Sequence, residues 1–238
     1  MTKRSISLAL GALVCAGMTL GTLAQQRGGG GGGGAAGAGG GRGRGAAQPV
    51  TLIFKEGWKD TTAMTPLSQA LVTNPDLELK MYGTGKEDFG LTNEGGVNHI
   101  WTGLCAAGCG VSLRSKENFI DMTGKGKIRW FTKTSGFHEI RPLLKLADGT
   151  YLVGDHVDSS TIDYRESEFY MSEVHWLKLD VTTVVTKGKV LDQVDLSKVD
   201  EVGFVDLTAG SGHGDGGYSD VGWLEVYGKA VKRDAAAK

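Results

Sequence analysis

The run Lys127-Ile-Arg-Trp-Phe-Thr-Lys133, followed by Glu139-Ile-Arg-Pro-Leu-Leu-Lys-Leu146, Asp148-Gly149 and Tyr151-Leu-Val153, decides the fold class. In the first run Ile128, Trp130 and Thr132 share one side of a period-two alternation; Lys127, Arg129, Phe131 and Lys133 take the other. That period belongs to a strand, not a helix. In the second run Ile140, Leu144 and Leu146 side with His138, while Glu139, Arg141, Leu143 and Lys145 take the opposite face. Asp148-Gly149 between two apolar runs is a strong hairpin signal. The two polar faces are expected to be neighbours in one sheet, carrying Arg129, Phe131, Glu139 and Arg141. Such a surface is either a binding face or a solvated face with ordinary cross-strand charge pairs.

Outward from this stretch, short apolar runs recur at 50–54, 77–82, 110–114, 174–179, 184–190, 199–207 and 221–227, with turn residues between them. One short helix is predicted, with Thr65 as N-cap, Pro66 at the first helical position and its end at Leu71. Nothing else sustains a helical period. About ten strands in a segment running from Pro49 onward predict an all-β, two-sheet sandwich spanning 49–233, with 234–238 a disordered tail.

The preceding residues read differently. Lys3 and Arg4 precede an uncharged, apolar and small-residue stretch that ends in Thr22-Leu23-Ala24. This is the layout of a secretory signal peptide over 1–24 and predicts a secreted protein, extracellular or periplasmic. A single membrane anchor and a lipoprotein signal at Cys15 are the alternatives. Residues 25–48 are mostly glycine and alanine, with Gln25, Gln26, Gln48, Arg27, Arg42 and Arg44, and hold 13 of the 39 glycines. They cannot build a core and are expected to be a disordered spacer. All 27 acidic residues follow residue 48, against 21 of the 26 basic ones, so the sandwich segment is acidic. That balance argues against nucleic acid as a partner. No second apolar run is long enough to span a bilayer, so no transmembrane segment is expected in the mature protein.

Three stretches, Phe119-Ile-Asp-Met-Thr-Gly124, Lys127-Ile-Arg-Trp130 and Leu146-Ala-Asp-Gly-Thr150, resemble central strands of galactose-binding-like jelly rolls. The later stretches Trp176-Leu-Lys-Leu-Asp180, Asp195-Leu-Ser-Lys-Val199 and Trp223-Leu-Glu-Val-Tyr-Gly228 are similar to the closing strands of that architecture. The resemblance covers about residues 119–233. It implies a jelly-roll sandwich of the carbohydrate-binding-module type, with a polysaccharide or glycoside as partner. Such folds also carry structural calcium, which makes Asp155, Asp158, Asp215 and Asp220 the candidate ligands; otherwise no cofactor is expected.

Cys105 and Cys109 form a close pair that reads as a small-loop disulfide in an oxidising compartment; metal binding or haem attachment would need ligands this pair lacks. The densest loop is Thr208-Ala-Gly-Ser-Gly-His-Gly-Asp-Gly-Gly-Tyr-Ser-Asp220. Its Gly-x-Gly-x-x-Gly match precedes a strand, not a helix, so it cannot be a dinucleotide fingerprint. It is instead a ligand-contacting loop or a long connection packing on itself. The expected ligand surface combines Arg129, Glu139 and Arg141 with His213, Asp215 and Tyr218. Trp130 and Trp223 are expected in the core, and Trp101, Tyr164 and Tyr218 nearer the surface, where a ring can stack on a sugar. A catalytic set would draw on His156, His213, Asp158 and Tyr164. The expected function is therefore non-catalytic carbohydrate binding. The alternatives are a glycan-active hydrolase or lyase, and a structural or adhesive envelope protein.

Overall fold

The computed structural model describes residues 49–210 and 217–233. The expected signal peptide, spacer and tail, with His213 and Asp215, lie outside the described residues. What is described is fifteen antiparallel strands and two single-turn 3-10 helices. Among these residues no helix is long and apolar enough to cross a membrane.

The strands form two sheets. The front sheet contains β1 (Thr51–Glu56), β2 (Thr65–Pro66), β4 (Gly90–Glu94), β5 (Val97–Trp101), β8 (Lys127–Thr134), β11 (Arg165–Tyr170) and most of β15 (Ser219–Lys232). Its spatial order is β11-β8-β15-β5-β4-β2, with β1 on the same edge of β15 as β5. The back sheet runs β3 (Leu77–Tyr82), β6 (Cys109–Ser115), β14 (Val199–Asp206), β9 (Ile140–Leu146), β10 (Tyr151–Gly154), β12 (Trp176–Asp180) and β13 (Val185–Val190). β7 (Asn118–Asp121) pairs with β14 through Ile120 and with the far end of β15, so β15 belongs to both sheets.

Between the sheets lies one core in which Trp130, Phe89, Phe204, Ile128, Leu144 and Leu224 are buried. A smaller cluster on the outer side of the back sheet joins Leu143, Val153, Leu179, Val184 and Val205. Three expectations are corrected here. Thr65-Pro66 begins no helix: it is a two-residue strand paired with β4, and only Gln69–Leu71 makes a 3-10 turn. The runs at 127–133 and 139–146 are not neighbours, because β8 pairs with β11 and β15 while β9 pairs with β10 and β14. Arg129 therefore stands on the front sheet, and Glu139 and Arg141, 3.5 Å apart, belong to the back one. Trp223 is half-buried on the outer face rather than in the core. The cause is a β-bulge between Val221 and Trp223: Val221 pairs with Thr132, but Trp223 pairs with Phe131. One extra residue reverses the alternation, so every side chain beyond it changes face. Gly222 sits at that bulge, where a Cβ would come within 2.9 Å of Val97 and 3.1 Å of Phe131.

A buried carboxylate and a disulfide stabilise the frame. Glu56 is fully buried, and its carboxylate accepts hydrogen bonds from the backbone N–H groups of Trp58, Thr73 and Asn74 and from the Thr73 hydroxyl, at 2.8–3.0 Å. Cys105 and Cys109 are joined in a buried disulfide, as expected.

Candidate functional site

The bulge gives the front sheet an outer face on which aromatic rings and charges alternate. Cross-strand register places Tyr227 opposite Lys127, Glu225 opposite Arg129, and Trp223 opposite Phe131. On the next strand Tyr170, Glu168 and Glu166 oppose the same three β8 residues. Phe131 stacks between Trp223 (ring centroids 5.8 Å apart) and Tyr164 (5.0 Å). The cations lie over the rings: Lys55 over Trp223 at 4.6 Å, Lys127 over Tyr227 at 4.8 Å, and Lys133 over Tyr164 at 5.6 Å. Arg129 is bonded to Glu225 at 2.9 Å and to Glu166 at 2.8 Å. The salt bridges fix the long side chains, and the rings stay half-buried with part of each surface open. From Tyr227 to Tyr218 the strip extends about 30 Å at the usual rise of a strand.

At one end the strip opens into a cavity of about 340 Å³ lined by Met64, Thr92, Asn93, Glu94, His99, Trp101, Tyr218 and Asp220. β4 and β5 make its far wall through a hairpin closed by Gly95-Gly96, both at positive φ. That Gly-Gly turn between two alternating runs is the sequence signal that marks these strands. Asp220 and His99 meet because β15 pairs with β5 at Asp220–Trp101. Asp220 is 1% exposed, and neither carboxylate oxygen makes a hydrogen bond of ordinary length. Its nearest polar neighbour among the ion pairs is His99 Nε2, at 3.5 Å. Burial pushes its carboxyl up to about 7; Lys133 opposes that rise, Glu94 adds to it, and the Tyr164 hydroxyl opposes it by hydrogen bonding. Burial lowers His99, and its Nδ1 lies 3.0 Å from the Val97 carbonyl oxygen. Burial, followed by the Asp220 charge, raises the Tyr164 phenol. Lys133 donates to Glu94 at 2.8 Å across the cavity rim. A second cavity of the same volume, between β1 and β3, holds no histidine, tyrosine or tryptophan.

The expected site residues divide among these regions. Arg129 and Tyr164 lie on the outer strip, and Tyr218 and Asp220 line the cavity. Trp101 lines it too but is 6% exposed, not the open ring expected. Asp158 is buried on the core side of β8, where it accepts from Trp130 Nε1 at 2.6 Å and from the Thr132 and Ser167 hydroxyls at 3.0 Å. Despite its burial, hydrogen bonds hold its carboxyl below the usual carboxylate range. His156 stacks on Phe169 beside it. These two brace the sheet from beneath, while Tyr164 stands on the opposite face. Asp155 is paired with His175 at 2.7 Å. Among the described residues, Asp155 and Asp158 join no group of three able to hold a metal ion; Asp220 does, with Glu94 and His99. Glu94, His99 and Trp223 are site residues that sequence reasoning did not assign, whereas Phe131 was expected on a candidate binding face.

This geometry defines an all-β sandwich with a ring-lined outer face. No protein-family model and no curated protein matches the chain. Among solved structures it is similar to a family 29 carbohydrate-binding module at 15% identity, covering 75% of this chain and 88% of that one, with a TM-score of 0.39. It is also similar to the family 11 module from Clostridium thermocellum in complex with a mixed-linked tetrasaccharide, at 17% identity, 75% and 98% coverage and a TM-score of 0.42. A second structure of the family 11 module, from a cellulosomal cellulase of that organism, has 11% identity, 81% and 100% coverage and a TM-score of 0.40.

Proposed function

We propose that this protein binds carbohydrate chains along the outer face of the front sheet, as a secreted, non-catalytic module. The observation that carries the reading is the half-open ring series Tyr227, Trp223, Phe131, Tyr164 and Tyr218, laid along about 30 Å of one sheet face. Sugar rings present apolar C–H faces and polar edges. Aromatic faces take up the first, and fixed carboxylates and ammonium groups between them take up the second. A long strip fits a chain of several linked sugars better than one free sugar. Secretion rests on the signal-like residues 1–24.

The test is affinity electrophoresis and pull-down on a panel of insoluble and soluble polysaccharides, with product analysis of the same samples. Retention without released oligosaccharide supports the reading. Retention with product formation favours the glycan-active alternative, for which Asp220, His99 and Tyr164 would supply acid–base groups. Retention on no polysaccharide refutes carbohydrate binding.

A further inference from the structure

The contact between Asp220 and His99 poses a chemical problem. The His99 Nδ1–H donates to the Val97 carbonyl oxygen at 3.0 Å, so the neutral ring directs its Nε2 lone pair at Asp220 Oδ1, 3.5 Å away. An ionised Asp220 offers only lone pairs in return; neither of its buried oxygens makes a hydrogen bond of ordinary length, and the Tyr164 hydroxyl is the donor that bears on the carboxyl. Two acceptors facing each other in a buried site call for a proton or a metal ion between them. Glu94 brings a third ligand atom, and all three lie within 4.8 Å of one another.

We propose that Glu94, His99 and Asp220 form a divalent transition-metal site, best suited to Zn²⁺, at the end of the aromatic strip. The inference stands on these residues alone and holds whether or not the strip takes a glycan. Two ligand atoms on a tetrahedral zinc are about 3.4 Å apart given bonds of about 2.0–2.1 Å, close to the Asp220–His99 separation. In a tetrahedral set every ligand pair closes to about 3.4 Å, so a ligand atom standing as far as 4.8 Å from another must move inward by up to about 1.4 Å. Glu94 is placed for that movement: its side chain is 59% exposed and held by Lys133 at the rim. The carbonyl bond at Nδ1 fixes the ring so that Nε2 is the ligating atom, the usual outer-shell arrangement for a metal-bound histidine. An imidazole nitrogen in the set favours zinc over calcium or magnesium, which take oxygen ligands. Three protein ligands leave a fourth position for water or a ligand oxygen, and all three line the cavity.

The test uses the full chain, stripped with EDTA and titrated calorimetrically with ZnCl₂, CaCl₂ and MgCl₂. One Zn²⁺ per chain is expected, with calcium and magnesium far weaker. Co²⁺ in place of zinc should give visible absorption bands that zinc displaces. Asp220→Asn and Glu94→Gln should each weaken zinc binding at least tenfold. The first preserves shape and the second lies at the surface, so circular dichroism should show both folded. His175→Ala, at the exposed Asp155 pair, should bind as wild type. No zinc uptake by the folded wild type, or wild-type affinity in either the Asp220 or the Glu94 variant, overturns the assignment.

Discussion

Asp220→Asn should change the pH dependence of stability in the metal-free protein. In the fold this carboxyl titrates at about 7, against an ordinary 3.8, chiefly because it is buried. The charged and titratable groups around it are Glu94, Lys133, His99 and Tyr164. The folded chain keeps a proton between about pH 4 and 7 that the unfolded chain has already lost, so stability falls as pH rises through that window. Its contribution is fully present below the unfolded value and gone above about 7. The difference is on the order of 4 kcal/mol, at about 1.4 kcal/mol for each pH unit. An asparagine of the same shape removes the titration and sets an N–H donor opposite His99 Nε2. Urea unfolding, followed by tryptophan fluorescence in EDTA at about pH 4, 5.5, 7 and 8.5, measures the effect. The variant should match wild type at the acid end and exceed it by up to about 4 kcal/mol at the alkaline end. Equal slopes in the two proteins, or a variant less stable at high pH, would refute a buried Asp220 whose charge is poorly compensated.

Three further outcomes follow from the frame and the strip. Trp223→Ala should cut polysaccharide retention at least tenfold and lower stability by under about 2 kcal/mol, because the ring is half-open; affinity electrophoresis and thermal melts read the two effects separately. Glu56→Ala should cost about 3–5 kcal/mol by urea unfolding, because it leaves three backbone N–H groups and a hydroxyl without their acceptor. Reducing the Cys105–Cys109 disulfide should cost only about 2 kcal/mol, since so short a loop restrains little of the unfolded chain; unfolding with and without dithiothreitol measures it.

The strands with clean alternation or continuous apolar runs were legible in the sequence. The run at 77–82 coincides with β3, and those around β6, β8, β9 and β14 are displaced by only a residue or two. β11 was not legible because Arg165-Glu-Ser-Glu is the charged sequence of an edge strand, which carries little apolar signal. β4 and β5 are polar over much of their length, and their Gly95-Gly96 turn was their clearest mark. Trp223 was misplaced because it lies in the apolar run 221–227, and the bulge that turns its ring outward leaves no mark in composition. The cavity was legible only in part. Tyr218 and Asp220 stand in a conspicuous glycine-rich loop, but their partner His99 lies far away in sequence, brought near by the pairing of β15 with β5. Long-range pairings of that kind are set by the whole topology, not by local spacing. The disulfide needed no such knowledge, because its two cysteines are local.

The sharing of β15 between the sheets has a consequence for how the chain becomes a sandwich. This strand holds together β8, β5 and β1 on one side of the core and reaches β7 on the other, yet it is the last of the fifteen to be made. Until Ser219–Lys232 has emerged, the front sheet has no middle and the core no lid. A ribosome would therefore release a chain whose front sheet closes only at the end, and slowly, as expected when most pairings are distant in sequence. Deleting β15 should leave not a smaller sandwich but two sets of strands with nothing between them.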